Sequence, residues 1–518
     1  MHPPMSGSLF DLIRSHAPAA DKALLELADG RQLSYGDALA WSGRVANTLV
    51  LRGVEPGDRV AVQVEKSPEA LILYLATLRA GAVYLPLNTA YTLPELEYFV
   101  SDAEPKAVVC DTARRAGVEA IAKRCGVAAV ETLDASGRGS LGAAAAGAPA
   151  DFADVPRKQS DLAAILYTSG TTGRSKGAMM THRNLASNAR TLAKVWHFSQ
   201  RDVLLHALPI YHTHGLFVAT NVVMIAGGSM LFLPRFDAGE VLRLLPKATA
   251  MMGVPTFYVR LLQHPELSRA RCAHMRLFIS GSAPLLAETQ REFLMRAGHA
   301  ILERYGMTET GMNTSNPYDG ERIAGTVGFP LPGVELRITD PATGKVLPAG
   351  EVGVIEIRGP NVFAGYWRMP EKTAAEFHDG FFISGDLGKI DERGYVHIVG
   401  RGKDLIITGG FNVYPMEIET EIDALPGVVE SAVIGVPHPD FGEGVTAVVV
   451  KDEAANLSEQ TILAALEGRL AKFKLPKRVI FVEDFPRNTM GKLQKNILRD
   501  RYGGIYAERA RAGQGEVS

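Results

Sequence analysis

Short apolar runs alternate with amphipathic segments over the first 310 residues or so of this 518-residue chain. Residues 59–64 and 82–86 have the length and apolar content of buried strands. Residues 34–49 and 68–79 place their apolar side chains at helical spacing. Strands that alternate with helices predict a parallel sheet covered by helices on both faces. The sequence therefore predicts an α/β fold for its large N-terminal part.

The pattern changes twice further along the chain. From about residue 321 to 400, strand-length runs are separated by Gly, Pro and Asp turns, which predicts an antiparallel or β-barrel-like section. Beyond residue 402 a short α+β pattern begins again and has the size of a separate domain. An alanine- and glycine-rich stretch at residues 139–150 has the composition of an exposed connector.

Composition excludes several classes of partner. Lys and Arg number 55 against 57 Asp and Glu, so no net field favours nucleic acid or an anionic membrane. Three cysteines argue against a disulfide framework, and no signal peptide is visible. Residues 215–233 carry no charge, but Gly227 and Gly228 interrupt them, which favours a buried helix, turn and strand over a membrane span. We expect a soluble, cytoplasmic protein; the sequence does not fix its oligomeric state.

The stretch at 167–177 reads Tyr-Thr-Ser-Gly-Thr-Thr-Gly-Arg-Ser-Lys-Gly and lies between a strand-length apolar run and a capped helix start at Thr181. Its glycines allow close approach of the backbone to an anion, and its hydroxyls and cations can surround a polyphosphate. A plain surface loop would have a similar composition. A Walker A loop is excluded because Gly177, and not Ser or Thr, follows Lys176.

Further segments have the composition of ligand-binding loops. Residues 305–311, Tyr-Gly-Met-Thr-Glu-Thr-Gly, offer an aromatic ring for a purine, a hydroxyl at Thr308 and a carboxylate at Glu309 for Mg²⁺. The others are 281–284, the Ser-Gly-Asp-Leu-Gly of 384–388, the glycine-rich 400–415, and 486–495. Taken singly, the Thr-Glu-Thr of 308–310 is better explained as a helix cap and the lysine of 486–495 as a solvated surface residue, and the Asp of 384–388 could simply form a turn.

The segments from 167–177 to 486–495, in their order along the chain, resemble the sequence motifs of the adenylate-forming superfamily. This superfamily includes acyl-CoA synthetases, luciferases and carrier-protein adenylation domains. The resemblance covers essentially the whole chain. It implies a large N-terminal domain at 1–402 and a small, mobile C-terminal domain at 403–518. It also implies two half-reactions, in which a carboxylate and ATP with Mg²⁺ give an acyl-adenylate and pyrophosphate, and a thiol such as CoA then attacks the adenylate.

The resemblance also implies roles for single residues. Lys492, Thr308 and His212 would be catalytic, and Glu309 would bind the metal ion. Lys403 would be the hinge between the domains, and Gly409 and Gly410 would line the pantetheine channel. The nucleotide would be bound by a larger set: Thr168, Ser169, Gly170, Thr171, Thr172, Gly173, Lys176, Gly281, Ser282, Ala283, Tyr305, Gly306, Asp386 and Arg401.

Polar side chains stand where the superfamily builds its acyl pocket, namely His212, Arg174, Arg260 and Ser280. This pattern, with the string His-Thr-His-Gly at 212–215, most resembles malonyl-CoA synthetases. It implies malonate or methylmalonate as the acid, with Arg260 binding the second carboxylate, although Arg260 would also suit the surface of a helix.

Other functions remain open at this point. A medium-chain or aryl acyl-CoA ligase would keep the same catalytic residues, and a stand-alone adenylation enzyme would load a carrier protein instead of CoA. An ATP-binding sensor would not need Lys492.

Overall fold

The computed structural model describes residues 7–168, 175–409, 411–488 and 492–506. The chain divides into two compact units. The first runs to Leu336 and includes Ile357–Phe382, and the second comprises Arg337–Glu356 and the chain from Ile383 onward. The boundary expected between residues 402 and 403 stays a prediction.

Helices occur in both units. In chain order the α-helices of the described residues are α1 Leu9–Ser15, α2 Tyr35–Leu51, α3 Pro68–Arg79, α4 Leu93–Ala103, α5 Arg115–Cys125, α6 Ser140–Ala146, α7 His182–Val195, α8 Asn221–Ala226, α9 Ala238–Leu244, α10 Pro255–Gln263, α11 Arg269–Cys272, α12 Ala287–Ala297, α13 Pro370–Ala375, α14 Pro415–Asp423, α15 Glu459–Leu466 and α16 Lys495–Tyr502.

The strands are numbered in the same way. They are β1 Ala23–Leu27, β2 Gln32–Ser34, β3 Arg59–Gln63, β4 Val83–Pro86, β5 Ala107–Cys110, β6 Ala129–Thr132, β7 Leu162–Thr168, β8 Lys176–Thr181, β9 Val203–His206, β10 Ser229–Phe232, β11 Ala250–Gly253, β12 Leu277–Ser280, β13 Leu302–Met307, β14 Gly311–Ser315, β15 Phe329–Pro330, β16 Glu335–Thr339, β17 Gly353–Arg358, β18 Phe377–His378, β19 Phe381–Ile390, β20 Val396–Arg401, β21 Ile406–Thr408, β22 Phe411–Val413, β23 Val428–His438, β24 Gly442–Lys451 and β25 Arg478–Val482.

The first unit contains a nine-stranded sheet with the order β15-β14-β13-β12-β11-β9-β10-β1-β2. The strands from β13 to β1 in this order are parallel to their neighbours, and β2, β14 and β15 are antiparallel additions at the two edges. Because parallel strands end at the same edge of a sheet, the segments that follow β9, β11 and β12 lie together with the end of β13. The predicted parallel α/β sheet is confirmed.

The second sheet of this unit has the order β6-β5-β3-β4-β7-β8 and is parallel except for its last pair. In that pair, Thr168 at the end of β7 faces Lys176 at the start of β8. The predicted strand and the predicted helix start are confirmed, because Thr181 caps α7 through Asn184. However, the phosphate-loop stretch connects a β-hairpin, since a further strand lies between it and the helix.

Helix α3 shows how local sequence and packing agree in this unit. The Ser67 side chain accepts a hydrogen bond from the Ala70 amide, and Pro68 occupies the first turn, where its missing N–H has no consequence. Every residue from Ala70 to Arg79 is buried. An all-round apolar helix of this kind belongs in the core of a large domain.

Two sequence expectations concern low-complexity or apolar stretches. The expectation of an exposed connector at 139–150 is wrong, because this stretch contains α6, which buries Leu141 and Ala145. Alanine has the highest helix propensity, and Arg44 donates to the carbonyls of Ala146 and Ala148. The stretch at 215–233 forms a π-helix at His214–Thr220, then α8, a turn and β10, as predicted. Among the described residues, no helix is long and apolar enough to cross a membrane.

Strands β16–β20 form a five-stranded sheet in the order β16-β17-β19-β18, with β20 on β19. The pairs of β19 with β18 and with β20 are antiparallel, as the turn-rich sequence predicts. In the second unit, β21–β25 form a mixed sheet in the order β22-β21-β24-β23, and β25 lies parallel to β24. Helices α14 and α15 bury Ile418, Ile422, Ile462 and Leu466 in the core of this unit.

Candidate active site

The first group of predicted residues lies where the hairpin β7–β8 meets the end of β13. The Thr168 hydroxyl is 3.4 Å from a carboxylate oxygen of Glu309, which is itself buried. Lys176 begins β8 with its side chain only 17% exposed. The predicted polyphosphate lysine, a loop hydroxyl and the predicted metal ligand are therefore close together in the first unit.

Two residues that the sequence analysis did not identify connect this group. The Glu376 carboxylate is 3.1 Å from the Lys176 ammonium and 2.8 Å from that of Lys372. The Tyr366 hydroxyl is 2.7 Å from Glu376 and 3.1 Å from Glu309, and its ring lies 4.2 Å below the Lys176 ammonium. The single Tyr366 hydroxyl proton is thus shared between the carboxylates of Glu376 and Glu309. Through these contacts, Glu376 and Tyr366 fix the positions of Lys176 and Glu309.

Glu376→Gln is expected to raise the KM for ATP about 10-fold, which equals ~1.4 kcal/mol of lost binding, because the Lys176 ammonium loses a charged hydrogen-bond acceptor. The matched control is Glu371→Gln, which changes an exposed glutamate of the same helix region. Initial rates at varied ATP and saturating acid measure the effect. A KM for ATP within twofold of the wild-type value in Glu376→Gln would show that this carboxylate does not position Lys176.

The residues around Glu309 fit a Mg²⁺ ion that arrives with ATP. The described part of the chain holds no group of three or more His, Cys, Asp or Glu side chains that could bind a metal ion alone. Mg²⁺ is commonly held by one or two carboxylates together with substrate phosphates, and the buried Glu309 offers one such carboxylate. When bound there, Mg²⁺ would neutralise phosphate charge.

A second group of predicted residues follows β9 and β12, next to β13. His212 Nδ1 lies 3.4 Å from the His214 amide, and His214 Nδ1 lies 3.2 Å from the Ser282 hydroxyl. His214 is buried, which lowers its pKa well below the usual value, so the imidazole is neutral at pH 7. The Ser282 backbone has φ +71°, a value that side chains other than glycine adopt rarely and mostly at ligand sites.

Arg304 of β13 adds a cation that the sequence analysis missed. It is 2% exposed, and a Cβ atom on Gly281 would lie 2.4 Å from its guanidinium carbon, so any other residue at 281 would displace the guanidinium. Among the described residues, Nε and Nη2 of Arg304 and Nε2 of His214 are buried without a hydrogen-bond partner, as are Oγ of Ser280 and Oε2 of Glu303 on the opposite face of the sheet. Buried polar atoms are normally paired, so such a concentration of unpaired atoms indicates a ligand.

The adjacent Glu303 does not neutralise Arg304. Neighbouring strand residues point to opposite faces of the sheet, and one oxygen of Glu303 accepts a hydrogen bond from the Leu285 amide at 3.2 Å. Burial raises the pKa of Glu303 to about 8 and lowers that of Arg304 to about 10. Burial thus favours the neutral form of Glu303, while Arg304 keeps its positive charge at neutral pH.

The remaining predicted residues of the first unit differ in their surroundings. Arg260 is exposed on α10, so its role as a carboxylate ligand stays a prediction. Tyr305, Gly306, Thr308 and Ala283 are half-buried. Several predicted residues lie outside the described part of the chain, namely Ser169, Gly170, Thr171, Thr172, Gly173, Arg174 and Gly410.

The second unit contains the predicted ribose ligands and the predicted catalytic lysine. Arg401 Nε is 3.0 Å from the buried carboxylate of Asp386, on the neighbouring strand. Lys492 lies close enough to Arg401, Asp386 and Lys403 for their charges to shift its pKa. Its amide donates to the Asn488 side chain at 2.9 Å, and its carbonyl accepts from the Asn488 amide at 2.9 Å. Lys403 lies in a 3₁₀ turn at Gly402–Asp404, and Gly409 has φ +56°.

The rate of adenylate formation is expected to fall at alkaline pH. Desolvation, followed by the charge of Arg401, lowers the pKa of Lys492 from 10.5 to about 8. The residue as a whole is exposed, so solvent screening opposes this shift, and we expect the inflection between about 8 and 10.5. If Lys492 acts as the resemblance implies, its ammonium form is the active one, so the rate should be full below this pH and lost above it. Single-turnover rates from pH 6.5 to 10.5 measure it; a rate that is flat to pH 10.5 would contradict the assignment.

Comparison with known proteins agrees with this arrangement. The AMP-binding enzyme family model matches residues 14–367, and the model of the AMP-binding enzyme C-terminal domain matches residues 417–492. ATP-bound MatB from Rhodopseudomonas palustris, a crystal structure, is 66% identical with a TM-score of 0.95, covering 97% of this chain and all of the other.

Two curated relatives have different acids in their names. Feruloyl-CoA synthase of Amycolatopsis sp. is 36% identical over 479 residues, which are 92% of this chain and 95% of the relative. Mitochondrial malonate–CoA ligase of Mus musculus is 36% identical over 510 residues, covering 90% of this chain and 86% of the relative. The protein therefore belongs to the AMP-binding enzyme family, and it is an acyl-CoA synthetase of that family.

Proposed function

We propose that this acyl-CoA synthetase converts malonate to malonyl-CoA and accepts methylmalonate as an alternative acid. In the first half-reaction, a malonate carboxylate oxygen attacks the α-phosphorus of ATP and pyrophosphate leaves. In the second, the thiolate of CoA attacks the acyl carbon and AMP leaves, while the thiol proton passes to solvent. The acid that reacts is thus a dianion, of which only one carboxylate is activated.

The observation that carries this proposal is the buried guanidinium of Arg304, whose Nε and Nη2 have no hydrogen-bond partner among the described residues, beside Gly281 and His214. A buried cation without a partner is strongly unfavourable, and a carboxylate with two parallel hydrogen bonds to the guanidinium fork offsets that cost. His214 Nε2 can also donate when Nδ1 accepts from Ser282. The guanidinium and this imidazole together suit the second carboxylate of malonate.

The same observation separates malonate from the other acids. The two curated relatives named after ferulate and malonate are equally identical to this chain, so identity does not decide between them. An aryl or fatty acyl group would leave the Arg304 guanidinium desolvated and unpaired. A dicarboxylate pairs it, so we favour malonate over the medium-chain and aryl alternatives.

The other predicted residues would act on the reacting atoms. Lys176 would bind the departing phosphates, Asp386 and Arg401 the ribose, and Lys492 the negative charge that spreads over carboxylate and phosphate in the transition state. The transition state gains more from these fixed charges than the ground state does. We further propose that the thiol acceptor is free CoA and that the domain boundary at 402/403 includes the hinge residue Lys403.

A pyrophosphate-release assay tests the proposal directly. The acids are malonate, methylmalonate, acetate, octanoate and coumarate, each with ATP and Mg²⁺ and with or without CoA. We expect malonate to give the highest kcat/KM, methylmalonate to follow, and turnover to require free CoA. Preference for octanoate or coumarate would reject the dicarboxylate assignment, and activity only with a phosphopantetheinylated carrier protein would reject CoA as the acceptor.

A further inference from the structure

Lys66 is a buried lysine that has no part in the mechanism described so far. It follows β3 and directly precedes Ser67, the N-cap of α3, and it is 7% exposed. Among the described residues it forms no ion pair with a carboxylate, and its ammonium lies 4.2 Å from the centre of the Phe232 ring. Burial lowers its pKa well below the usual value. Burying a lysine without a carboxylate is costly, so a specific role has to account for it.

The Lys66 amino group holds His206, the last residue of β9. Nζ is 2.9 Å from His206 Nδ1 and 2.8 Å from the His206 carbonyl oxygen. His206 Nε2 faces the carbonyl oxygen of Gly215, which can only accept, so Nε2 carries the proton of the neutral imidazole and Nδ1 accepts from Lys66. His206 is fully buried, and burial keeps its pKa well below the usual value.

His206 Nε2 reaches the carbonyl oxygen of Gly215 at 2.9 Å, and the Thr220 hydroxyl donates to the same oxygen at 2.9 Å. Gly215 lies in the first turn of the π-helix, directly after His214. A Cβ atom on Gly215 would lie 2.0 Å from the Pro209 carbonyl oxygen, so this backbone has no room to shift on that side. Wide π-turns are frequent at functional sites, and here the carbonyl of the turn is held by two side chains.

From the contacts of Lys66 with His206 and of His206 with Gly215, we infer that Lys66 is a positioning residue for the acid substrate. It fixes the tautomer of His206, which holds Gly215 and thereby the neighbouring His214 beside Ser282 and Arg304. The inference rests on the proposed function only in placing the acid next to His214. It does not depend on which acid is preferred, so kinetics are measured with whichever acid the wild-type enzyme turns over best.

Lys66→Met removes the N–H donors and keeps the length of the side chain. We expect kcat/KM for the acid to fall about 10- to 100-fold, mainly through KM. This is the range found for residues that hydrogen-bond to the side chains of a metal site and orient them. The KM for ATP should stay within twofold. Lys66→Arg, which keeps donors in a different geometry, should recover part of the loss. The control is Lys22→Met, since Lys22 likewise donates to backbone carbonyls distant in sequence, those of Gln200 and of Gly227 at the C-terminal end of α8.

Two outcomes would overturn the inference. One is an equal loss for acid and ATP in Lys66→Met; the other is unchanged kinetic constants with only a lower melting temperature, since both describe a structural lysine. A second measurement does not depend on whether the Lys66 variants fold. Nitrogen-15 NMR of wild-type enzyme with labelled histidine reports the tautomer of His206, and the signal is assigned by its loss in His206→Gln. A neutral His206 protonated at Nε2 supports the contacts from Lys66 through His206 to Gly215. A proton on Nδ1 at neutral pH would exclude them.

Discussion

Arg304→Leu is expected to lower kcat/KM for malonate by roughly 10²- to 10³-fold. Leaving one charge of a buried pair without its partner costs ~3–5 kcal/mol, and each 1.36 kcal/mol is tenfold in rate. Butyrate has no second carboxylate, so its turnover should change little or improve once the unpaired guanidinium is gone. Initial rates of pyrophosphate release with both acids give the ratio.

Arg260→Leu is the matched control for this experiment. Arg260 is exposed on α10, whereas Arg304 is buried beside Gly281. If Arg260 binds the second carboxylate, as the resemblance implies, its variant will show the selective loss and Arg304→Leu will harm malonate and butyrate alike. Such a result would move the carboxylate site away from β13.

Lys492→Ala is expected to slow adenylate formation by roughly 10²- to 10³-fold, because a preorganised charge donor contributes ~3–4 kcal/mol to its step. Attack of CoA on supplied acyl-adenylate should remain largely intact, since we propose that the lysine acts only in the first half-reaction. Rapid-quench measurement of adenylate and of thioester, each started separately, distinguishes the two steps.

Lys472→Ala serves as the control, since Lys472 is an exposed lysine of the same unit with no predicted role. It should leave both half-reactions within twofold of the wild-type rates. Equal losses in both half-reactions of Lys492→Ala would contradict an action confined to adenylate formation.

Most of the fold could be predicted from the sequence because its signals are local. The apolar runs of β3 and β4, the serine cap of α3 and the Thr181 cap of α7 are each contained within a few residues. Two elements show where local signals fail. Strand β8 begins with Lys176 and Gly177, which belong to the string assigned to the phosphate loop, and the alanines of α6 have the composition of a connector until packing against α2 is known.

Site residues could be predicted where they lie within one contiguous sequence motif. Residues that join the site only through contacts between strands or distant segments could not be predicted. Thr168, Lys176 and Glu309 lie in recognisable strings. Arg304 lies against Gly281, directly after the adjacent strand β12, and Glu376 lies 200 positions from Lys176. One signal was present in the sequence, because a charged pair, Glu303 and Arg304, interrupts an otherwise apolar strand-like run.

A competition experiment tests the central claim most directly. The wild-type enzyme is given equal concentrations of malonate, butyrate, octanoate and ferulate with ATP, Mg²⁺ and limiting CoA, and mass spectrometry quantifies the thioesters. If the Arg304 guanidinium pairs with a second carboxylate, malonyl-CoA should exceed every other product by about 100-fold or more. A mixture in which feruloyl-CoA or octanoyl-CoA predominates would contradict the account.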